Sequence, residues 1–180
     1  QAHRLSRAYN QLDEDAGDAR KKIMRELLPN AAQSAYLQGP IQFDYGIFTE
    51  LGENFYANFN FTVLDCAPVK VGNNVFFGPN CALVTPIHPL LSGERNARVQ
   101  ADGSVFVPEY AKPIVIGDNC WLATNVTVCG GAVIGSGSVI AAGSVVTGNI
   151  PPNSLAGGVP CRAIRTLSES DSIELKKSLW

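Results

Sequence analysis

A six-residue beat runs through most of this chain. From Val71 the sequence divides as VGNNVF, FGPNCA, LVTPIH, and after an interruption as IGDNCW, LATNVT, VCGGAV, IGSGSV, IAAGSV, VTGNIP. The first positions are Val71, Phe77, Leu83, Ile116, Leu122, Val128, Ile134, Ile140 and Val146, all apolar. Second positions are mostly small, and fifth positions are small or medium and mostly apolar, with Ser138 and Ser144 the exceptions. LGENFY, ANFNFT and VLDCAP keep the beat from Leu51, and Val69-Lys70 is a two-residue slip before the next segment. A helix repeats its apolar residues every three or four positions and a half-buried strand every two, so a period of six fits neither. It fits a parallel β-helix, in which each hexapeptide supplies one flat side and one corner and three close a triangular coil of about 18 residues. The first-position aliphatics then stack inward, and small second and fifth residues let the backbone turn. A β-sandwich would need a two-residue alternation that the sixes break. The chain reads as all-β.

The beat stops at TPIHPLLSGERNARVQADGSVFVPEYAKP, residues 85–113. This long polar segment predicts a loop that leaves the coil at a corner and folds over a cleft as a lid. His88, one of only two histidines, stands at the last position of its hexapeptide, where the chain departs. Breaks in an otherwise consistent pattern concentrate at functional sites. A neutral imidazole is a ready proton acceptor near pH 7, although a corner histidine bonded to backbone is the plainer alternative. His3 falls on the polar side of the first helix and reads as solvated.

The ends of a β-helix are open edges and need caps. Residues 3–28 place Leu5, Ala8, Tyr9, Leu12, Ala16, Ala19, Ile23 and Leu27 at helical spacing, and Pro29-Asn30 stops the helix. Gln1 reads as mid-helix, so the natural N-terminus is expected further upstream. At the far end, Ser168 with Asp171 three residues later predicts the N-cap of a short terminal helix. The predicted organisation is a helical segment over 1–37, a β-helix over 38–167 with its lid at 88–113, and a C-terminal helix over 168–180.

A hydrophobic fraction of 46% with 17% charged residues indicates a packed globular chain. With a net charge of −2 and no basic cluster beyond Arg20-Lys21-Lys22, nucleic acid is not an expected partner. No apolar run approaches the roughly 20 residues that span a bilayer. Five cysteines (66, 81, 120, 129 and 161) show neither CxxC pairs nor zinc spacing, so no metal is expected. Their odd count fits free thiols in the cytoplasm. Cys81 and Cys120 take the inward fifth position and read as core, Cys129 is grouped with them, and Cys66 stays open because it lies in the first full coil. The sequons at Asn60 and Asn125 fall inside the repeat, where a glycan would crowd its neighbours.

The segments NFYANFNFTVLD, HP, EYAKPIVIGDNCWLATNVTV and GSVVTGNIPPNSLAGGVPCRAI resemble the galactoside and maltose O-acetyltransferases among the hexapeptide-repeat acyltransferases. The resemblance covers nearly the whole chain, and its non-repeat pieces are the specific ones. It implies a left-handed parallel β-helix, a homotrimer with sites between subunits, and acetyl transfer from acetyl-CoA to a sugar hydroxyl. By the same resemblance the catalytic histidine falls on His88. The acceptor site falls on Tyr56, Asn58 and Asp65, with Cys66 where the galactoside enzymes carry a second acidic residue, and Glu109 either orients His88 or meets the acceptor. The coenzyme A positions fall on Gly78, Trp121, Ala123, Thr124, Ala142 and Thr147, with Arg162 and Arg165 for its phosphates and Gly148 in place of a lysine.

A zinc enzyme built on this repeat would need three histidines, and the chain has two. A serine, antibiotic or amino-sugar acetyltransferase and a non-catalytic assembly subunit remain as alternatives.

Overall fold

A computed structural model describes residues 1–175. The expected β-helix is there: three parallel sheets form the faces of a prism, and the chain visits them in a fixed order. Thr49–Leu51, Val69–Val71, Ile114–Ile116 and Val133–Ile134 make the first face. Tyr36–Leu37, Tyr56–Ala57, Phe76–Phe77, Trp121–Leu122, Val139–Ile140 and Ser154–Gly157 make the second. Ile41–Phe43, Phe61–Leu64, Ala82–Val84, Thr127–Cys129 and Val145–Val146 make the third.

All nine first-position residues are inside, none more than 5% exposed. Burying an aliphatic side chain of this size contributes about 1.5–3 kcal/mol, so the column they form dominates the core. Fifth positions also face inward. The two serine exceptions satisfy themselves there: Ser138 Oγ donates to the Pro151 carbonyl at 2.9 Å, and Ser144 Oγ to that of Ala141 at 2.6 Å. Cys81, Cys120 and Cys161 are buried, whereas Cys129 is only half-buried and does not belong with the core thiols.

The fourth position carries the corner. Asn54, Asn60, Asn74, Asn80, Asn119 and Asn125 all occupy it with φ between 54° and 60°, and Gly131, Gly137 and Gly143 take the same place in later coils. Asn and Gly are the residues that tolerate this left-handed conformation. The asparagines also bond along the prism, Asn54 Nδ2 to Asn74 Oδ1 at 2.9 Å and Asn60 Nδ2 to Asn80 Oδ1 at 2.8 Å.

Coil length departs from the expected 18. Tyr36 pairs with Tyr56 and Tyr56 with Phe76, so the early coils hold 20 residues; Trp121 pairs with Val139, which restores 18. The surplus sits at one edge, between the third face and the first. Leu64 to Val69 takes two residues more than Cys129 to Ala132, and Val84 to Ile114, aligned with them, holds the whole excursion. We call this the lid edge. Its bulged corners free backbone groups that buried side chains satisfy. Asp65 accepts from Tyr45 N–H and Thr49 Oγ1, each at 2.9 Å. Thr85 Oγ1 donates to the Leu64 carbonyl at 2.7 Å and accepts from Ala67 N–H at 3.0 Å.

The expected single helix over 3–28 is two, α1 (Ala2–Asn10) and α2 (Gly17–Leu27). One continuous helix of that length would run about 39 Å, far past the end of a prism whose sides are two to four residues long; a hairpin of helices covers that end instead. Leu5, Tyr9, Met24, Leu27 and Leu28 bury against the first coil. Polar side chains pair its open edge: Asn10 bonds both N–H and C=O of Ile41 at 2.7 and 2.8 Å, and Tyr9 and Arg20 donate to the Leu37 carbonyl. At the other end an antiparallel strand, Arg162–Thr166, pairs with Ser154–Gly157 and closes the open edge of the second face. The Ser168–Asp171 capping box forms, but it opens 3₁₀ turns at Glu169–Asp171 and Ile173–Leu175 in place of the expected helix, whose remainder at 176–180 lies outside the described residues.

Candidate active site

The lid edge collects the chemistry. Pro86–Ile87 and Tyr110–Ala111 pair antiparallel, Ile87 against Tyr110, so the lid's two ends are zipped and His88 and Glu109 come side by side. His88 Nδ1 lies 3.2 Å from the Pro108 carbonyl and Nε2 lies 3.5 Å from Glu109 Oε2. A carbonyl only accepts, so Nδ1 is the donor and Nε2 holds the lone pair of the neutral ring. Both side chains are a little under half exposed.

Next to this pair opens a cavity of about 560 Å³. Asp44, Tyr45, Cys66 and Glu109 line it from the lid edge, and His3 and Glu26 from the helical hairpin. Sequence reasoning missed Asp44 and set His3 aside. His3 is two-thirds exposed as expected, yet its Nε2 sits 3.3 Å from Asp44 Oδ1. The signal was available, because successive coils break the sixes at the same edge, which stacks the polar residues of those breaks.

Cys66 Sγ is 3.8 Å from Asp44 Oδ2 as a weak donor. Burial, then the Glu109 and Asp44 carboxylates, push the thiol up to about 11, so it is neutral at physiological pH and not a nucleophile. At pH 8 its alkylation, followed by mass spectrometry, is expected to run about 100-fold slower than that of an ordinary exposed cysteine and to rise roughly tenfold per pH unit. A fast reaction at pH 8 would contradict that environment.

The remaining sequence-derived residues lie elsewhere. Asn58, Gly78 and Ala123 stack in register at the edge between the second and third faces, with Thr124 and Ala142 at the same corner. Tyr56 and Trp121 point outward on the second face in one column with Tyr36 and Phe76. The third face separates this group from His88, so one chain does not bring the two together. Thr147, in contrast, is on the lid edge, in register with Cys129. Gly78 has a packing reason of its own: a Cβ there would meet Thr124 N at 2.7 Å. Arg162 is exposed, while Arg165 is held bidentately by Asp171 at 2.5 and 2.7 Å.

Asp65 is a correction. It is fully buried and its two oxygens are committed to Tyr45 and Thr49, so it does not face an acceptor. Among the described residues, no group of three or more His, Cys, Asp and Glu is arranged to hold a metal ion, and no helix is long and apolar enough to cross a membrane.

The profile for the bacterial transferase hexapeptide (six repeats) matches residues 113–148, and that for the hexapeptide repeat of succinyl-transferase matches 68–88. Galactoside O-acetyltransferase of Escherichia coli is 37% identical over 154 residues, 86% of this chain and 71% of that protein. This chain belongs to the hexapeptide-repeat acetyltransferases. The solved structure of a galactoside acetyltransferase in complex with coenzyme A superposes with a TM-score of 0.85 at 36% identity, covering 94% of this chain and 80% of the other. A hexapeptide-repeat acetyltransferase of Vibrio cholerae, complexed with acetyl-CoA, gives 0.81 at 34% identity, with 93% and 86% covered. In an acetyltransferase, the cavity and the histidine on the lid edge are the natural starting point for the chemistry.

Proposed function

We propose that this acetyltransferase moves the acetyl group of acetyl-CoA to a hydroxyl of a sugar or related small acceptor, by direct attack within a ternary complex. The observation that carries the reading is the lone pair of His88 Nε2, its ring oriented by the Pro108 carbonyl and set beside Glu109, which lines the cavity. A hydroxyl is a poor nucleophile at neutral pH and a thioester a reactive donor, so the enzyme's task is to take a proton as attack occurs. Nε2 accepts the hydroxyl proton, the oxygen bonds the acetyl carbonyl carbon, the carbon–sulfur bond breaks, and the imidazolium returns its proton to the departing thiolate. The balance needs no acetyl-enzyme.

Acetyl-CoA is assigned to the second-face group, Trp121, Ala123, Thr124, Ala142 and Gly78, with Thr147 and Arg162 from the lid-edge and C-terminal side. Arg165 would join only by releasing Asp171. Tyr56 and Asn58 are assigned to the acceptor. Because the third face divides these residues from His88, the site is completed by a second copy, and a homotrimer supplies three such clefts. The lid supports this reading: Leu90 is 90% exposed and Val99 77%, an apolar surface that a neighbouring subunit would cover. Sedimentation is expected to give three times the chain mass; a monomer with full activity would remove the shared site. Free thiols suit the cytoplasm, where we place the protein. The test of function is release of free coenzyme A thiol from acetyl-CoA across a panel of sugars, amino sugars and serine. Turnover confined to amine acceptors would overturn hydroxyl transfer.

A further inference from the structure

Glu109 occupies an unexpected side of the base. In a relay that orients histidine through a carboxylate, the carboxylate bonds the nitrogen remote from the substrate. Here that nitrogen, Nδ1, is already held by the Pro108 carbonyl at 3.2 Å, and Glu109 Oε2 faces Nε2 at 3.5 Å. With Nε2 unprotonated, two acceptors confront each other there, and 3.5 Å is too long for a good hydrogen bond. The arrangement becomes favourable only when Nε2 carries a proton. The groups around Glu109 sharpen this: Cys66 touches it from the neighbouring corner and remains a neutral thiol, Asp44 lies beyond Cys66, and His88 Nε2 faces it as the nitrogen that becomes cationic on taking a proton. The lid's zipped ends set the two side chains across one antiparallel rung, so their approach is fixed by backbone pairing.

We infer that Glu109 is a positioning residue that receives the His88 imidazolium as it forms, an inference that rests on the proposed general-base role of His88. The carboxylate interacts with a charge present in the transition state and absent in the resting enzyme, the kind of contact that raises turnover more than ground-state binding. It does not serve to set the tautomer, nor chiefly to bind the acceptor.

The test is Glu109→Gln, which keeps size and hydrogen-bonding capacity but removes the charge. With an acceptor that the wild type turns over, kcat is expected to fall by roughly 3- to 10-fold, the scale of a half-exposed charge contact screened by solvent, with KM for acetyl-CoA and acceptor nearly unchanged. Glu109→Asp should recover part of the loss. The double variant His88→Ala with Glu109→Gln should be no slower than His88→Ala alone, because Glu109 acts only through the ring. Multiplying losses in the double variant, a rise confined to acceptor KM, or an unchanged kcat would each overturn the inference. An active His88→Ala enzyme would instead sink the general-base reading itself, which keeps the two failures apart.

Discussion

Replacing His88 with alanine is expected to lower single-turnover acetyl transfer by about 10² to 10⁴, the usual contribution of a positioned proton acceptor. The coil should be unaffected. His88 follows the short strand Pro86–Ile87 at the prism's rim, is about half exposed, and meets the lid's return, with a hydrogen bond to the Pro108 carbonyl and Glu109 alongside. Inward packing at this level belongs to Leu83 and Thr85, which are untouched. Acetyl-CoA binding should also survive, because the residues assigned to it lie mainly at another edge and on the second face. The measurement is a rapid-quench single turnover together with an acetyl-CoA titration of the same variant. Transfer at the wild-type rate would end the general-base mechanism, whereas lost transfer with retained binding is the outcome the geometry requires.

The prism itself was legible because burial follows a simple rule along the chain: every first position from Val71 to Val146 points inward. The fourth-position asparagines and glycines were equally visible in the sequence and went unread, although their left-handed backbone is what turns each corner. The helical hairpin was misread as one helix because Leu12, Ala16 and Ala19 continue the apolar spacing across the break. The polar run Asp13, Glu14, Asp15 followed by Gly17 was the contrary signal, and packing against a narrow prism end decided it. Of the candidate site, the pairing of His88 with Glu109 was foreshadowed by the interruption that contains both. Asp44 went unread, although the breaks in the sixes recur at one edge and stack it beside Cys66, which was the signal. No local pattern announces that Tyr56 and His88 stand on different sides of the third face; that is a property of coil order.

Asp65 is where a polar residue in a suggestive place proves to be architecture, and its replacement by alanine is expected to lower folding stability by about 2 to 4 kcal/mol. The carboxyl is fully buried at the lid edge and accepts from Tyr45 N–H and Thr49 Oγ1 at 2.9 Å each. Alanine leaves the buried Thr49 hydroxyl and the part-buried Tyr45 N–H without this partner, and each lost partner of a buried donor costs on the order of 1–3 kcal/mol. Asparagine should be far milder: its Oδ1 can still accept from Tyr45 N–H, while its amide donates to the Thr49 hydroxyl, which accepts as readily as it donates. Urea unfolding of the two variants measures the difference. Because Tyr45 and Cys66 flank this corner and both line the cavity, a loosened corner will also blur the cavity beside Glu109 and His88, so kinetics on Asp65→Ala alone would mislead. Asp65→Asn separates the roles. A buried corner strut predicts acceptor KM close to wild type in that variant, whereas a large rise in acceptor KM with stability intact would return Asp65 to the binding site.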